Sequence, residues 1–513
     1  MGERIWSEYQ RAVFEDVASG TGHTMISAVA GSGKTSTILE ALRYVPEGAS
    51  VLFAAFNRSI VNELKLRLIC TACGGTGYCE PIGSYSLRSM CGRCCGTGKT
   101  SDAEIATLHS LGLRAVSRAL NRPVIDQDKC ATIARKLLEV EAHPEKREWC
   151  TSVVKAVSLC KSHLARGDEE MLEVVDLHGI CPPEREEERG AFIKDVRAVI
   201  NACLDDESTI DFDDMIFLPY VLDLQVPQYD RVFVDETQDL NAAQIALVLK
   251  AVRPKGRIVA VGDPRQCIYT FRGAAADAFE KVRSALGAKV LPLSVSYRCA
   301  RAIVAEAQQI VPYIEAAPGA EEGSVERASE GEMLVKAQPG DFILSRVNAP
   351  LLKLCLSFLR CNVPAAIQGR DVGAKLAGVV RRAKTDDVDT MLEYVASWCA
   401  REEARLTKRG KDARGIADIH ACVDVLSEGE SSVTAVVAKI LRLFADGDET
   451  TRITLSSTHK AKGMERDRAW VLEGTYLLSR GAEGVSIEEQ NLKYVAVTRA
   501  RKSLILVQPR KQS

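Results

Sequence analysis

The chain has 513 residues, of which 46% are hydrophobic and 27% charged, and its net charge is −2. That length exceeds a single core and implies about three or four domains, while the near-neutral balance removes any bulk attraction to nucleic acid, so binding of that kind has to rest on local residues. No apolar run approaches the roughly 18 residues of a membrane span, and residues 1–10 hold no apolar signal core, so a cytoplasmic location is expected.

In chain order, the first elements expected are a strand at Met25–Val29, a helix at Thr35–Tyr44 and a strand at Val51–Ala55. This is the opening of a parallel α/β sheet. Between the first strand and the helix, residues 28–35 read A-V-A-G-S-G-K-T. Gly31 and Gly33 let the backbone turn tightly, so that its N–H groups face a polyphosphate. Lys34 can reach the β- and γ-phosphates, and the Thr35 hydroxyl can ligate Mg²⁺ at the start of the helix. ATP is expected against Ala30, Gly31, Ser32, Gly33, Lys34, Thr35 and Ser36. Ala28 stands where the usual pattern has Gly; this position leads in from the strand, and a small residue serves there.

The α/β pattern breaks at Cys70. Cys70 and Cys73 are followed by Gly75 and Gly77, and Cys91 and Cys94 by Gly96 and Gly98, so C-x-x-C-x-G-x-G occurs twice. A two-residue spacer brings both thiolates onto one metal, and the glycines allow the tight knuckle. Four sulfurs from Cys70, Cys73, Cys91 and Cys94 would close a tetrahedral, structural Zn²⁺ site. The half-motif resembles the cysteine-rich region of DnaJ chaperones, which speaks to metal binding and not to chaperone activity. Buried free thiols and a redox pair are the alternatives, and Cys79 and Cys95 lie near enough to compete as ligands. The chain has 17 cysteines, and the thirteen outside these pairs fit reduced intracellular thiols.

Residues 101–210 read as mostly helical and carry the charge run E-R-E-E-E-R at 184–189, a solvated face. Sheet character returns at Arg231–Asp235 and Arg257–Val261. Residues 232–236, V-F-V-D-E, form an apolar strand ending in two carboxylates. Asp235 would hold Mg²⁺, and Glu236 would orient and deprotonate an attacking water. A second α/β pattern starts near Val290, includes Asp341–Ser345, and resumes at Ile453–Ser456, Ala469–Leu472 and Ser503–Val507. Residues 374–450 between them read as helical and highly charged, and Pro318–Gly323 reads as a surface loop.

Four further segments carry a family resemblance. They are V-D-E-T-Q-D at 234–239, V-G-D-P-R-Q-C-I-Y-T-F-R-G-A at 261–274, T-H-K-A-K-G-M-E at 458–465 and E-Q-N-L-K-Y-V-A-V-T-R-A-R at 489–501. Together with the phosphate loop they resemble superfamily 1 DNA helicases of the UvrD/Rep/PcrA type, over nearly the full chain. The segment at 261–274 is most similar to the F-box DNA helicase branch. The resemblance implies an α/β fold of two RecA-like parallel-sheet motor domains with helical insertions and a small zinc-binding insertion. Its domains would be a first motor domain at 1–69, 101–111 and 211–285, and the zinc insertion at 70–100. A helical domain at 112–210 would follow. The second motor domain would take 286–373 and 451–513, with a small helical domain at 374–450.

The same resemblance implies roles for single residues. Gln10 would read the adenine edge, Tyr297 would stack on it, and Glu465 would contact the ribose. Arg298 and Arg499 would reach the γ-phosphate, with Lys34 and Glu236 as their catalytic partners and Gln266 as the sensor of nucleotide state. DNA contacts would come from Phe56, Asn57, Arg58 and His109, from Tyr269, Phe271 and Arg272, and from Arg346, Thr458 and His459. Phe271 stands where the family usually has Trp. The implied activity is an ATP-dependent helicase or translocase on single-stranded DNA, moving 3′→5′ and acting at single-strand/duplex junctions. Two alternatives stay open: a translocase that displaces proteins without unwinding, and a zinc-dependent interaction module on a nucleotide-binding scaffold. The compact size suits a bacterial or phage enzyme working on the nucleoid.

Overall fold

The structure is a computed structural model. It describes residues 5–55, 58–69, 76, 78–79, 89–90, 103–180, 188–268, 278–407, 413–444, 451–476 and 487–508. Cys70, Cys73, Cys91 and Cys94 lie outside these residues. The chain divides into two units. One holds Met1–Ala28, Gly33–Pro264 and Tyr269–Ser294; the other holds Val29–Ser32, Arg265–Ile268 and Val295–Ser513. No helix among the described residues is long and apolar enough to cross a membrane.

The first unit is built on six strands: β1 (Thr24–Ala28), β2 (Val51–Ala55), β3 (Glu104–Thr107), β4 (Tyr229–Val234), β5 (Val252–Gly262) and β6 (Lys289–Leu293). Every pairing is parallel, in the order β6-β1-β5-β4-β2-β3. Side chains alternate between two cores. Met25, Leu52, Val232, Val234 and Ile258 fill one face, and Ile26, Phe53, Phe233, Val259 and Val261 fill the other. A sheet buried on both faces needs such unbroken apolar runs, which is why β1, β2, β4 and β5 are legible in the sequence, while the short β3 falls in the stretch 101–210 that reads as helical.

The strand at Lys289–Leu293 falls in the segment that the sequence pattern assigns to the second sheet. It pairs instead with β1, Thr24 opposite Lys289 and Ala28 opposite Leu293, and closes the edge of the first sheet. Periodicity identifies a strand but carries no information about its neighbour.

The helices Lys129–Leu137, Arg147–His163, Asp168–His178 and Arg189–Asp205 enclose a core of their own around Trp149, Val153, Phe192 and Val196. A buried charge cluster braces it. Lys161 Nζ lies 2.7 Å from Asp214 and 3.1 Å from Asp211, and Lys129 Nζ lies 3.0 Å from Asp214.

The second unit repeats the plan with β7 (Ser324–Ala328), β8 (Phe342–Ser345), β9 (Ala365–Ile367), β10 (Ile453–Ser457), β11 (Arg466–Leu472) and β12 (Ala500–Val507). The order is β7-β12-β11-β8-β10-β9, again all parallel. Its inserted helices, Arg370–Arg381, Val388–Thr407, Arg414–Ser427 and Val433–Leu443, have no separate core among the described residues. Val423, Leu426 and Val436 pack in the same cluster as Phe358, Leu455 and Trp470. Asp418 ties them down by accepting the N–H groups of Asn348 at 2.8 Å and Ala349 at 2.7 Å, where the helix Ala349–Arg360 begins.

Candidate nucleotide site and nucleic-acid interface

Parallel strands put their C-terminal ends on one edge. The loops after β1, β4 and β5, which are neighbours in the first sheet, therefore gather there. Lys34 opens the helix Lys34–Ala41 behind Gly33, whose φ of 78° is a left-handed conformation suited to glycine. Lys34 Nζ lies 3.2 Å from Glu236 Oε1 and 3.3 Å from Oε2. Burial works against its charge, yet the carboxylates of Glu236, Asp263 and Asp235 outweigh burial and hold its pKa above the usual value. Asp235 accepts the Glu236 N–H at 2.8 Å. Burial first, and Glu236 second, push its carboxyl up to about 7, against the opposing pull of Lys34 and the Thr35 hydroxyl. Glu236 sits at φ 52°, strained for a residue with a Cβ.

The arrangement fits a magnesium nucleotide. Three carboxylates around one ammonium leave a local negative excess, and Asp235, buried and unwilling to ionise alone, is stabilised as a carboxylate by a divalent cation. Gln10 is buried. It caps the first helix through Ser7, whose N–H reaches its Oε1 at 3.1 Å, and its Nε2 donates to Thr37 Oγ1 at 2.9 Å.

In the second unit, Gly31 has φ +74°, and a Cβ there would lie 2.4 Å from Arg298 Cβ, so the loop admits only glycine. Ala30 N–H donates to the Tyr494 hydroxyl at 2.8 Å, and Ser32 Oγ is buried without a partner among the described residues. Arg298 is ion-paired with Glu465, which also lies 3.8 Å from Arg501. Tyr297 is 42% exposed. Arg499 is 1% exposed and spends its donors on the carbonyls of Val495 at 2.9 Å and Met464 at 3.0 Å and on Thr498 Oγ1 at 3.3 Å. Burial, helped by Arg298, draws its guanidinium down to about 9, still charged at neutral pH. The buried Gln266 accepts from Lys462 Nζ at its carbonyl, at 2.9 Å.

Of the expected DNA contacts, Phe56, Asn57, Tyr269, Phe271 and Arg272 lie outside the described residues, as does the side chain of Arg58. His109 is half-buried, and desolvation lowers its pKa. Its ring meets that of Phe212 edge-on at 6.4 Å, and Phe212 is 47% exposed. Arg346 Nε lies 2.9 Å from Glu489. Thr458 is buried, its hydroxyl bonded to the Ser345 carbonyl and the Tyr476 hydroxyl. Arg346 and His459 line a cavity of about 270 Å³ together with Asn348, Lys375 and Ser457.

Sequence reasoning did not single out Phe212, Gln238, Asp263 and Tyr494, which the structure places beside the candidate residues His109, Glu236, Lys34 and Ala30. An isolated aromatic in I-D-F-D-D has no periodic signal; its exposure beside His109 is what marks it.

Family models decide the wider affiliation. The UvrD/REP helicase N-terminal domain matches residues 8–286, and the UvrD-like helicase C-terminal domain matches residues 403–511. The chain belongs to the UvrD/REP helicase family. It is 26% identical over 325 residues to the ATP-dependent DNA helicase PcrA of Bacillus subtilis, covering 58% of this chain and 38% of that protein. It is 23% identical over 323 residues to PcrA of Staphylococcus epidermidis, covering 58% and 39%. It is 27% identical over 214 residues to the RecBCD enzyme subunit RecB of Mycolicibacterium smegmatis, covering 39% and 18%. Less than two fifths of the Bacillus subtilis helicase is thus spanned. Within this UvrD-like family, the phosphate loop, the D-E pair and the arginines fall inside the two matched domains or in the connecting segment.

Proposed function

We propose that this chain is an ATP-dependent motor on single-stranded DNA, and that it unwinds duplexes in the 3′→5′ direction from a single-strand/duplex junction. The observation that carries the reading is the cluster of Lys34, Asp235 and Glu236 at the strand ends, with Lys34 Nζ 3.2 Å from Glu236. Magnesium-bound ATP would supply the phosphoanhydride bond whose cleavage drives the motor. Lys34 and the loop N–H groups would hold the β- and γ-phosphates, Thr35 and Asp235 would hold Mg²⁺, and Glu236 would take a proton from the attacking water. Arg298 and Arg499 would spread positive charge over the equatorial oxygens. Gln10, Tyr297 and Glu465 would hold the nucleoside, and Gln266 would sense its phosphate state.

On the strand side, Phe212 and His109 offer a ring surface in the first unit, and Arg346, Lys375 and His459 offer cationic and polar groups in the second. A stacking face and backbone-directed cations are the two elements of sequence-tolerant single-strand binding. The kinship of residues 261–274 with the F-box branch rests on their sequence alone. So does the zinc site; elemental analysis of protein purified without chelator should find one Zn²⁺ per chain, and a metal-free result removes it.

The deciding measurement is ATP hydrolysis with and without single-stranded DNA, followed by unwinding of 3′-tailed and 5′-tailed duplexes. Strong stimulation with unwinding of the 3′-tailed substrate is expected. Stimulation with protein displacement but no unwinding would leave a translocase. Hydrolysis indifferent to DNA would remove the motor.

A further inference from the structure

Gln238 lies two residues beyond Glu236 and is fully buried. Its Nε2 donates to Glu236 Oε2, and its Oε1 accepts the main-chain N–H of Asp263 at 3.0 Å. Chemistry alone fixes this orientation of the amide. A carboxylate can only accept and a main-chain N–H can only donate, so the flipped amide would oppose oxygen to oxygen and N–H to N–H.

The surroundings are shaped for this link. At Gly262 a Cβ would lie 2.5 Å from Gln238 Oε1 and 3.2 Å from its main-chain nitrogen, so any larger residue would displace the amide. On the other side of Gly262, Thr237 Oγ1 donates to the Val261 carbonyl at 2.9 Å. The turn after β4 is therefore stitched to the end of β5 on both sides of one glycine. Only the Gln238 stitch continues to a functional carboxylate. Glu236 is also in a left-handed conformation, so side-chain hydrogen bonds rather than a relaxed backbone hold its carboxylate in place.

We propose that Gln238 is a positioning residue that ties the Glu236 carboxylate to the main chain at Asp263, so that a shift of the segment after β5 reorients Glu236. This rests on the reading of Glu236 as the group that activates water. The link reaches Glu236 through a side chain, and it would act on the attacking water through that carboxylate.

The test compares Gln238→Met and Gln238→Glu, both close to glutamine in volume. Methionine deletes donor and acceptor; glutamate keeps an acceptor for the Asp263 N–H and, once ionised, cannot donate to Glu236, so its kcat is read across a pH series that ionises it. Both variants should lose kcat for hydrolysis by about 10²-fold, the scale of an ångström of misplacement. Affinity for a non-hydrolysable ATP analogue should stay within about twofold, since the loss falls on kcat and not on ground-state binding. Wild-type kcat in Gln238→Glu would show that the side chain only braces the main chain, and would overturn the proposal. A parallel loss of analogue affinity would overturn it too, as the mark of a collapsed site. If one variant fails to fold, the other carries the same split. Glu236→Gln measured alongside separates the two claims. Normal turnover there removes the base assignment itself, whereas lost turnover there with intact Gln238 variants removes only the positioning role.

Discussion

In the first unit one ammonium, Lys34, feels three carboxylates, Asp235, Glu236 and Asp263. In the second unit Arg298 and Arg501 pair with Glu465 and Asp467, Arg501 Nε lying 2.7 Å from Asp467, and Arg499 sits within the field of Arg298. One cluster has excess negative charge and suits a divalent cation; the other has excess positive charge and suits phosphate oxygens. Their burial differs in kind as well. Lys34 is stabilised as a cation by its carboxylates, whereas Arg499 is held by carbonyls and a hydroxyl, with no carboxylate in ion-pair range among the described residues. A buried guanidinium without a counterion costs stability, and it persists where function requires it.

The largest test of this difference is Arg499→Met. Hydrolysis should fall by about 10³–10⁵-fold, the range for an arginine that stabilises a phosphoryl transition state. The melting temperature should hold or rise, because an unneutralised buried cation is removed. A large drop in melting temperature with hydrolysis retained would reverse the comparison. Next in size is the first cluster. Glu236→Gln should keep nucleotide binding and lose about 10²–10⁴-fold in kcat, while Lys34→Ala should lose binding itself. Equilibrium binding with a fluorescent analogue, paired with turnover, separates the two.

A smaller pair of effects sharpens the contrast on the strand side. Phe212→Ala should weaken single-strand binding by about 1–3 kcal/mol with an unchanged salt slope, since a ring stacks on bases and releases no counterions. Lys375→Ala should instead flatten the salt slope by about 0.7, the single-strand value for one phosphate contact. Binding titrations at several salt concentrations check both, and an interchange of the two signatures would refute the assignment.

The smallest effect is in pH. Burial lowers the His109 pKa below its ordinary 6.5. The unfolded chain then takes up its proton before the folded one, so this group contributes no penalty above about 6.5 and a growing one as pH falls through that value. Melting curves between pH 7.5 and 5.5 should show this loss, and His109→Gln should reduce it. An identical pH profile in that variant would mean that His109 titrates normally.

Most of the candidate nucleotide site was legible because it is local. A phosphate loop needs glycines, a lysine and a hydroxyl within a few consecutive residues, and Asp235 and Glu236 directly end an apolar strand. Most central strands of both sheets were likewise readable, since burial on two faces demands continuous apolar runs such as Val232–Val234 and Ile343–Leu344, whereas Glu104–Thr107, Ser324–Ala328 and Ala365–Ile367 were not. What the sequence could not contain was adjacency. Lys289–Leu293 reads as a strand, but only backbone pairing assigns it to β1 rather than to the second sheet. The two helical insertions look alike in composition. Only packing separates one with its own core around Trp149 and Phe192 from one that shares the core of Phe358 and Trp470. Gln238 reads as a polar residue after two acids, and becomes a link because β5 ends beside it. Arg499 reads as an arginine of the family-like segment 489–501, and its burial is set by the chain folded over it. Local chemistry is written in consecutive residues; hydrogen-bond partners and desolvation also depend on segments 25 residues apart, as for Gln238 and Asp263, or 202 apart, as for Lys34 and Glu236, and the tertiary structure alone decides them.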